Sequence, residues 1–343
     1  MPPARITKLR TVIFEATHRC NLSCIYCYNY WKAGGSAPVR ELSTMRTLGI
    51  LRRVIDQTGA RLVAFSGGEP LLRNDILELL TFVHLKGVKA SILTNGVLLD
   101  RRMAADLRKV GARVFQLTLL GMDEAVHDLH CGKGSFAKAM GAIEAARSVG
   151  VTLSVTFILT RRNLSQVEPA MQFMGLLGLK AFMFNRFNPG GEGLKHMDSL
   201  MPTAVELRAA LKRASRLAFR LRVRPVCSVP IPPCVADPSD YRGIHFAYCI
   251  GSTAKSYFTM DPAGGIRLCN HSPVVLGNIR RQKFVDIANG DGVERFRSSR
   301  PGLCRECPHW ETCLGSCRAS SEQACGSCAT LDPFVARMLG AGT

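Results

Sequence analysis

Residues 11–28 read TVIFEATHRCNLSCIYCY. The apolar run 12–16 reads as a short buried strand, and Cys20, Cys24 and Cys27 follow it directly. A Cys-x3-Cys-x2-Cys loop can wrap three thiolates around three corners of a cubane iron–sulfur cluster and leave the fourth iron open. An open iron lets a substrate or cosubstrate bind the metal, as the free position of a catalytic zinc does. The spacing also suits a zinc ion with His18 as fourth ligand, so the loop alone leaves two metals in play.

Outward from this loop, strand-like runs at 62–65, 90–94, 114–119, 153–159 and 181–187 alternate with amphipathic stretches at roughly 43–58, 72–86, 98–110, 135–149, 163–177 and 203–222. Six strand–helix units in regular order predict a parallel sheet with right-handed crossovers. Six are too few to close an eight-stranded barrel. The expected fold is therefore α/β, a partial (β/α)6 barrel with its site at the carboxyl ends of the strands. Residues 1–224 make up this unit. Residues 225–248, with Pro225, Pro230, Pro232, Pro233 and Pro238, read as a linker. Residues 249–343 are rich in cysteine, glycine and proline, and the expectation is a small domain stabilised by metal.

The chain has 343 residues and 14 cysteines, three in the first loop, one alone at Cys131 and ten from Cys227 onward. No export signal precedes the first strand, so metal binding outweighs a disulfide framework. Cys131 reads as a small buried side chain. No apolar run approaches the length that spans a bilayer. The expectation is a cytoplasmic protein with no membrane partner. A net charge of +19 asks for an anionic partner or substrate. The basic pairs Arg52-Arg53, Arg101-Arg102 and Arg161-Arg162 are dispersed, which argues against nucleic acid. A zinc-stabilised nucleic-acid-binding protein is the non-enzymatic alternative.

The first loop, with Tyr26 before its last cysteine, resembles the signature of the radical S-adenosylmethionine (radical SAM) superfamily. Ser66-Gly67-Gly68-Glu69-Pro70, after the second strand, resembles that family's Gly-Gly-Glu-Pro segment, and Leu93-Thr94-Asn95-Gly96, after the third, its adenosylmethionine-facing turn. The resemblance implies that Cys20, Cys24 and Cys27 hold a catalytic [4Fe–4S] cluster. Tyr26, Gly67, Gly68, Glu69, Pro70, Thr94 and Asn95 would face adenosylmethionine, with Glu69 on its amino group. It implies reductive cleavage to a 5′-deoxyadenosyl radical that abstracts hydrogen from substrate, with a flavodoxin- or ferredoxin-type one-electron reductant. Two positions depart from the family. Thr118-Leu119-Leu120-Gly121 keeps a hydroxyl at Thr118 but loses an aspartate, and His130-Cys131-Gly132-Lys133 lacks the arginine that clamps the methionine carboxylate. Arg186 is the candidate replacement.

Cys249, Cys269, then Cys304-x2-Cys307-x5-Cys313-x3-Cys317, followed by Cys325 and Cys328, resemble the SPASM extension, which holds two auxiliary iron–sulfur clusters. By that resemblance Cys249, Cys269 and Cys317 bind the nearer cluster, with Cys234 or Cys227 as a fourth ligand or an open iron. Cys304, Cys307 and Cys313 bind the farther one, completed by Cys325 or Cys328.

For the substrate, the main expectation is a small polar, anionic natural-product intermediate undergoing sugar-acid decarboxylation or alcohol oxidation. The chain is similar in size and layout to cytosylglucuronate decarboxylases of antibiotic biosynthesis. A peptide-modifying maturase is the alternative. Only about ten residues precede the first strand, so no leader-binding module is expected there. Asn270 stands where sulfatase-maturing enzymes carry an aspartate base, with His271 one step away.

Overall fold

The computed structural model describes residues 5–33, 38–251 and 256–340. The expected strand–helix alternation is present: β1 (Thr11–Thr17), α1 (Thr44–Thr58), β2 (Leu62–Gly67), α2 (Ile76–Leu85), β3 (Lys89–Thr94), α3 (Arg101–Lys109), β4 (Ala112–Leu119), α4 (Glu124–Cys131), α5 (Ser135–Ser148), β5 (Thr152–Leu159), α6 (Val167–Leu176), β6 (Ala181–Arg186), α7 (Met197–Leu200) and α8 (Ala204–Leu221). Helix α8 starts at a reciprocal cap. Thr203 Oγ1 accepts from the Glu206 amide at 3.2 Å, and Glu206 Oε2 accepts from the Thr203 amide at 2.7 Å. Strands β1 to β6 pair in parallel in sequence order. Their core residues, among them Phe14, Phe65, Phe115, Phe157 and Phe184, are withdrawn from solvent.

The sheet continues past the expected six strands at both ends. The proline-rich stretch adds β7 (Arg224–Cys227) and β8 (His245–Phe246), both parallel to their neighbours. A four-residue strand with a proline at its second position carries no period-two signal, so it is invisible in the sequence. On the other side lie β9 (Phe258–Met260), β10 (Gly265–Arg267) and β11 (Val275–Asn278). Strand β9 runs parallel to β1, with Val12 opposite Phe258, and β10 and β11 follow antiparallel. The order is β11-β10-β9-β1-β2-β3-β4-β5-β6-β7-β8, and β8 and β11 stay as separate edges, so the barrel is open. The C-terminal region therefore has apolar support. Phe258, Met260 and Ile266 are buried against the barrel core. It obtains this core by covering the free edge of β1. The remaining helices are short: α9 (Phe284–Ala288), α10 (Asp291–Ser298), α11 (Trp310–Cys313), α12 (Arg318–Cys325) and α13 (Pro333–Met338). Among the described residues, no helix is long and apolar enough to cross a membrane.

Candidate active site

The carboxyl ends of β1, β2 and β3 meet at the first cysteine loop. Gly68 donates its amide to Thr17 O at 2.8 Å, and Glu69 donates to Arg19 O at 2.8 Å, so the Gly67–Pro70 turn is laced to the backbone that enters the loop. A Cβ on Gly68 would lie 2.1 Å from Arg19 O, and one on Gly67 2.2 Å from Thr17 O. Only glycine permits this approach. Gly68→Ala should therefore destabilise the protein by about 1–3 kcal/mol, the usual cost of overpacking. A melting temperature unchanged from wild type would contradict the close approach.

Glu69 is fully buried. Its Oε1 accepts from Leu71 N at 3.1 Å and Thr94 Oγ1 at 2.8 Å, and its Oε2 accepts from Asn95 N at 2.8 Å. Burial raises its pKa to about 7 against the pull of these hydrogen bonds. Asn95 in turn donates to Asn21 Oδ1 at 2.8 Å and faces Cys20 Sγ at 3.9 Å, which ties the third strand end to the loop. Asn29 Nδ2 donates to Gly67 O at 3.1 Å.

Helix α4 was not legible as a helix, and it supplies the other wall. Asp123 caps it by accepting from Val126 N at 2.8 Å, and its last turn holds the loop through Ile25 N to His130 O at 3.0 Å. Cys131 is buried as expected, and it lies against Cys24, whose thiol it raises by hydrogen bonding, with burial second. Burial likewise raises Cys20, and it takes Cys27 to about 12. These thiols hold their protons until a cation replaces them. Asp128, beside His127, is committed to the start of α5 and accepts from Phe136 N at 2.8 Å and Ser135 Oγ at 3.0 Å.

A cavity of about 800 Å³ joins this loop to a second thiol set. Its wall includes Cys20, Cys24, Cys27, Tyr26, Thr94, Asn95 and Thr118 on one side, and Cys249, Cys269 and Cys317 on the other. Burial, followed by the Cys317 and Cys249 thiols, raises Cys269 to about 12, and burial raises Cys317 to about 11. Between the sets, Tyr28 accepts from Asn270 Nδ2 at 2.6 Å and stacks on His271 at 4.0 Å between ring centres. Burial, helped by Arg186 and Arg267, lowers His271 to about 3, so it is neutral at pH 7. Asn188 and His271 Nδ1 are 2.5 Å apart. Tyr28 and Asn188 were not singled out from the sequence. The only signal for Tyr28 was its place directly after Cys27.

One expected role changes. Arg186 does not offer a free guanidinium to a carboxylate ligand. Its Nη2 donates to Asp332 Oδ2 at 2.5 Å and its Nε to Pro230 O at 2.6 Å, and it lies over the Phe334 ring at 4.7 Å. A tertiary ion pair with a residue 146 positions away cannot be seen in local sequence. Cys234 was one reading for the fourth position of the nearer set, beside Cys227 or an open iron; it lies within electrostatic reach of Cys304 and Cys307, and Cys313 in turn feels Cys234. Cys325 is exposed, and Cys328 is buried on the side of Arg318. All fourteen cysteines are free thiols. Among the described residues, no three His, Cys, Asp or Glu side chains converge as one ion would require. A zinc ion needs sulfurs about 2.3 Å away on all sides, whereas a cluster spans a wider cage. The grouped thiols of Cys20, Cys24 and Cys27 and of Cys249, Cys269 and Cys317, lining one cavity, fit iron–sulfur clusters.

Residues 14–174 match the sequence model of the Radical SAM superfamily, and residues 249–308 that of SPASM, an iron–sulfur cluster-binding domain. The PqqA peptide cyclase of Xanthomonas euvesicatoria pv. vesicatoria is 29% identical over 336 residues, covering 95% of this chain and 87% of the relative. Streptococcus suis SuiB bound to its precursor peptide SuiA shares the fold at a TM-score of 0.73 and 16% identity, over 96% of this chain and 76% of that one. The protein anSMEcpe with bound AdoMet does so at 0.72 and 16% identity, over 96% and 91%. The chain thus carries a radical SAM domain followed by a SPASM domain, a radical SAM enzyme whose cofactors are adenosylmethionine, a [4Fe–4S] cluster and auxiliary iron–sulfur clusters.

Proposed function

We propose that the enzyme modifies a peptide side chain rather than the small anionic metabolite that the net charge suggested. The observation that carries this is the likeness, along 95% of the chain, to a protein named for a peptide substrate. The Arg186 guanidinium in the cavity is already neutralised by Asp332, so it is not offered to the carboxylate of a sugar acid.

In this reading Cys20, Cys24 and Cys27 hold the catalytic cluster. Cys249, Cys269 and Cys317 hold the nearer auxiliary cluster, and Cys304, Cys307, Cys313 and Cys234 the farther one. A cluster held by Cys20, Cys24 and Cys27 would, with one electron from a flavodoxin- or ferredoxin-type reductant, supply the reductive cleavage of adenosylmethionine to methionine and a 5′-deoxyadenosyl radical, the species that would abstract hydrogen. Glu69 holds the ammonium of adenosylmethionine, Gly67 and Gly68 let the backbone approach it, and Thr94, Asn95 and Thr118 line its place. Neither Asn270 nor the neutral His271 is a strong base, which favours a reaction that needs no proton acceptor at that point.

The test follows 5′-deoxyadenosine and substrate mass with reduced, reconstituted enzyme, offering precursor peptides encoded beside it and, separately, a glucuronate nucleoside and a cyclitol. Deuterium passing from a labelled peptide into 5′-deoxyadenosine is the expected result. Turnover of a small metabolite with none of the peptides would overturn the reading.

The pKa of Glu69 sets a pH dependence. Below about 7 the free protein holds this carboxyl neutral, and an incoming ammonium has no counter-charge. Adenosylmethionine affinity should fall below that pH by up to about tenfold per unit, and decline again above about 8, where the ligand's α-ammonium loses its own proton. Equilibrium dialysis from pH 5.5 to 8.5 measures it. Glu69→Gln should bind weakly throughout and lose the acid-side slope, so an unchanged acid-side slope in this variant would refute the role.

A further inference from the structure

Among the described residues, Arg186, Arg267 and Arg318 are the largest fully buried side chains. Two of them have a carboxylate: Asp332 for Arg186 and Glu15 for Arg267. Arg318, at the start of α12 and directly after Cys317, has none. Among the described residues, no Asp or Glu oxygen lies within 4.0 Å of its guanidinium. Its exposure is 1%.

The side chain is nonetheless firmly placed. Nη1 donates to the carbonyls of Phe296 and of Ser299, the latter at 2.9 Å. The guanidinium stacks 3.9 Å over the Phe296 ring, and the Trp310 ring centre is 6.0 Å away. Neutral carbonyls and ring faces orient a cation without neutralising it. Nε is buried with no hydrogen-bond partner. Arg318 lines the same cavity as Cys249, Cys269 and Cys317. Phe296, on which it rests, lies with Cys249 Sγ around the same glycine, Gly251. The Glu322 carboxylate of the same helix is occupied by Ser272 Oγ at 3.0 Å.

A buried guanidinium without a counter-ion is strongly unfavourable. The groups around it that are or can become anionic are the Cys249, Cys328 and Cys317 thiols and, with the smallest effect of the four, the Glu322 carboxylate. Thiolates on an iron–sulfur cluster supply such a charge, and a fixed N–H donor near cluster sulfur favours the reduced, more negative state.

We propose that Arg318 is the built-in counter-ion of the auxiliary cluster held by Cys249, Cys269 and Cys317, and that it raises that cluster's reduction potential so that the cluster accepts an electron more readily. This rests on the ligand assignment of the preceding section. The companion arginines are held in contact ion pairs by their carboxylates, whereas Glu322 acts on Arg318 only from beyond ion-pair distance, so most of the Arg318 charge is left for the cluster.

The experiment uses the full chain with Cys20, Cys24 and Cys27 changed to alanine, which isolates the auxiliary clusters. Into this parent go Arg318→Met and Arg318→Lys. Iron and sulfide are assayed, and each protein is titrated with titanium(III) citrate under electron paramagnetic resonance. In Arg318→Met one cluster should be retained with a lowered midpoint. At the parent's midpoint its reduced-to-oxidised ratio should fall about tenfold, equal to about 59 mV for one electron. The other cluster should not move, and Arg318→Lys should shift less. If Arg318→Met loses iron while Arg318→Lys keeps both iron and most of the potential, the charge is again supported. Unmoved midpoints in Arg318→Met, equal shifts of both clusters, or equal loss of iron in both variants would overturn the proposal. A parent without auxiliary iron would overturn the ligand assignment together with it, and the iron assay separates that failure from the others.

Discussion

Changing Cys20, Cys24 and Cys27 together to alanine should abolish 5′-deoxyadenosine formation, a loss of at least about 10³-fold, with roughly four iron atoms lost from the protein. The expectation follows from where the loop sits. It leaves β1 at the end where Glu69, Thr94 and Asn95 converge, and its neighbours Gly67 and Gly68 allow no side chain against it. Cys131 does not rescue the site. It is buried with Cys24 and Leu120, with Cys27 packed against the same group, and one remaining thiol cannot hold a cubane. The iron bound by the C-terminal cysteines should remain, because those residues reach the cavity from other elements. Retained deoxyadenosine formation would refute the assignment of the catalytic cluster to this loop. Iron and sulfide assays with chromatographic detection of deoxyadenosine measure both outcomes.

The second large effect is on stability. Asp332→Asn removes the anion from Arg186, and both side chains are almost wholly buried. Breaking a buried pair by removing one partner costs about 3–5 kcal/mol, since a charge is left without compensation. The same carboxylate accepts from Cys317 N at 3.1 Å, so the change should also loosen one cysteine of the nearer set. Anaerobic urea denaturation measures the loss. The double variant Arg186→Met with Asp332→Asn should recover part of it, because no unpaired charge remains. A single variant within about 1 kcal/mol of wild type would show that the pair does not tie the barrel to α13.

How much of this was legible in advance depended on range. The strands β1 to β6 and the helices α1, α2, α3, α5, α6 and α8 carry apolar periodicity within their own length, and each was placed to within a few residues. Helix α4 escaped because eight residues with two histidines give little periodicity, and its start is fixed by one Asp123 cap. Strands β7 to β11 escaped because strands of two to four residues have no pattern of their own. They exist by pairing with an edge already built.

The site divides the same way. Cys20, Cys24 and Cys27 are contiguous on one loop, and Gly67, Gly68 and Glu69 on another. Residues that work within one turn of chain declare their chemistry by spacing, so the radical SAM half and the cysteine-rich half were readable from sequence alone. Groupings made across the fold were not. Arg186 was a plausible ligand clamp until Asp332, brought in from α13, proved to hold it. Spacing left the fourth position of the nearer set open between Cys234, Cys227 and an open iron, and nothing local in the sequence announces that Cys234 comes within electrostatic reach of Cys304 and Cys307. The counter-charge of a buried cation is chosen by packing between elements distant in the chain, and only the tertiary structure decides it.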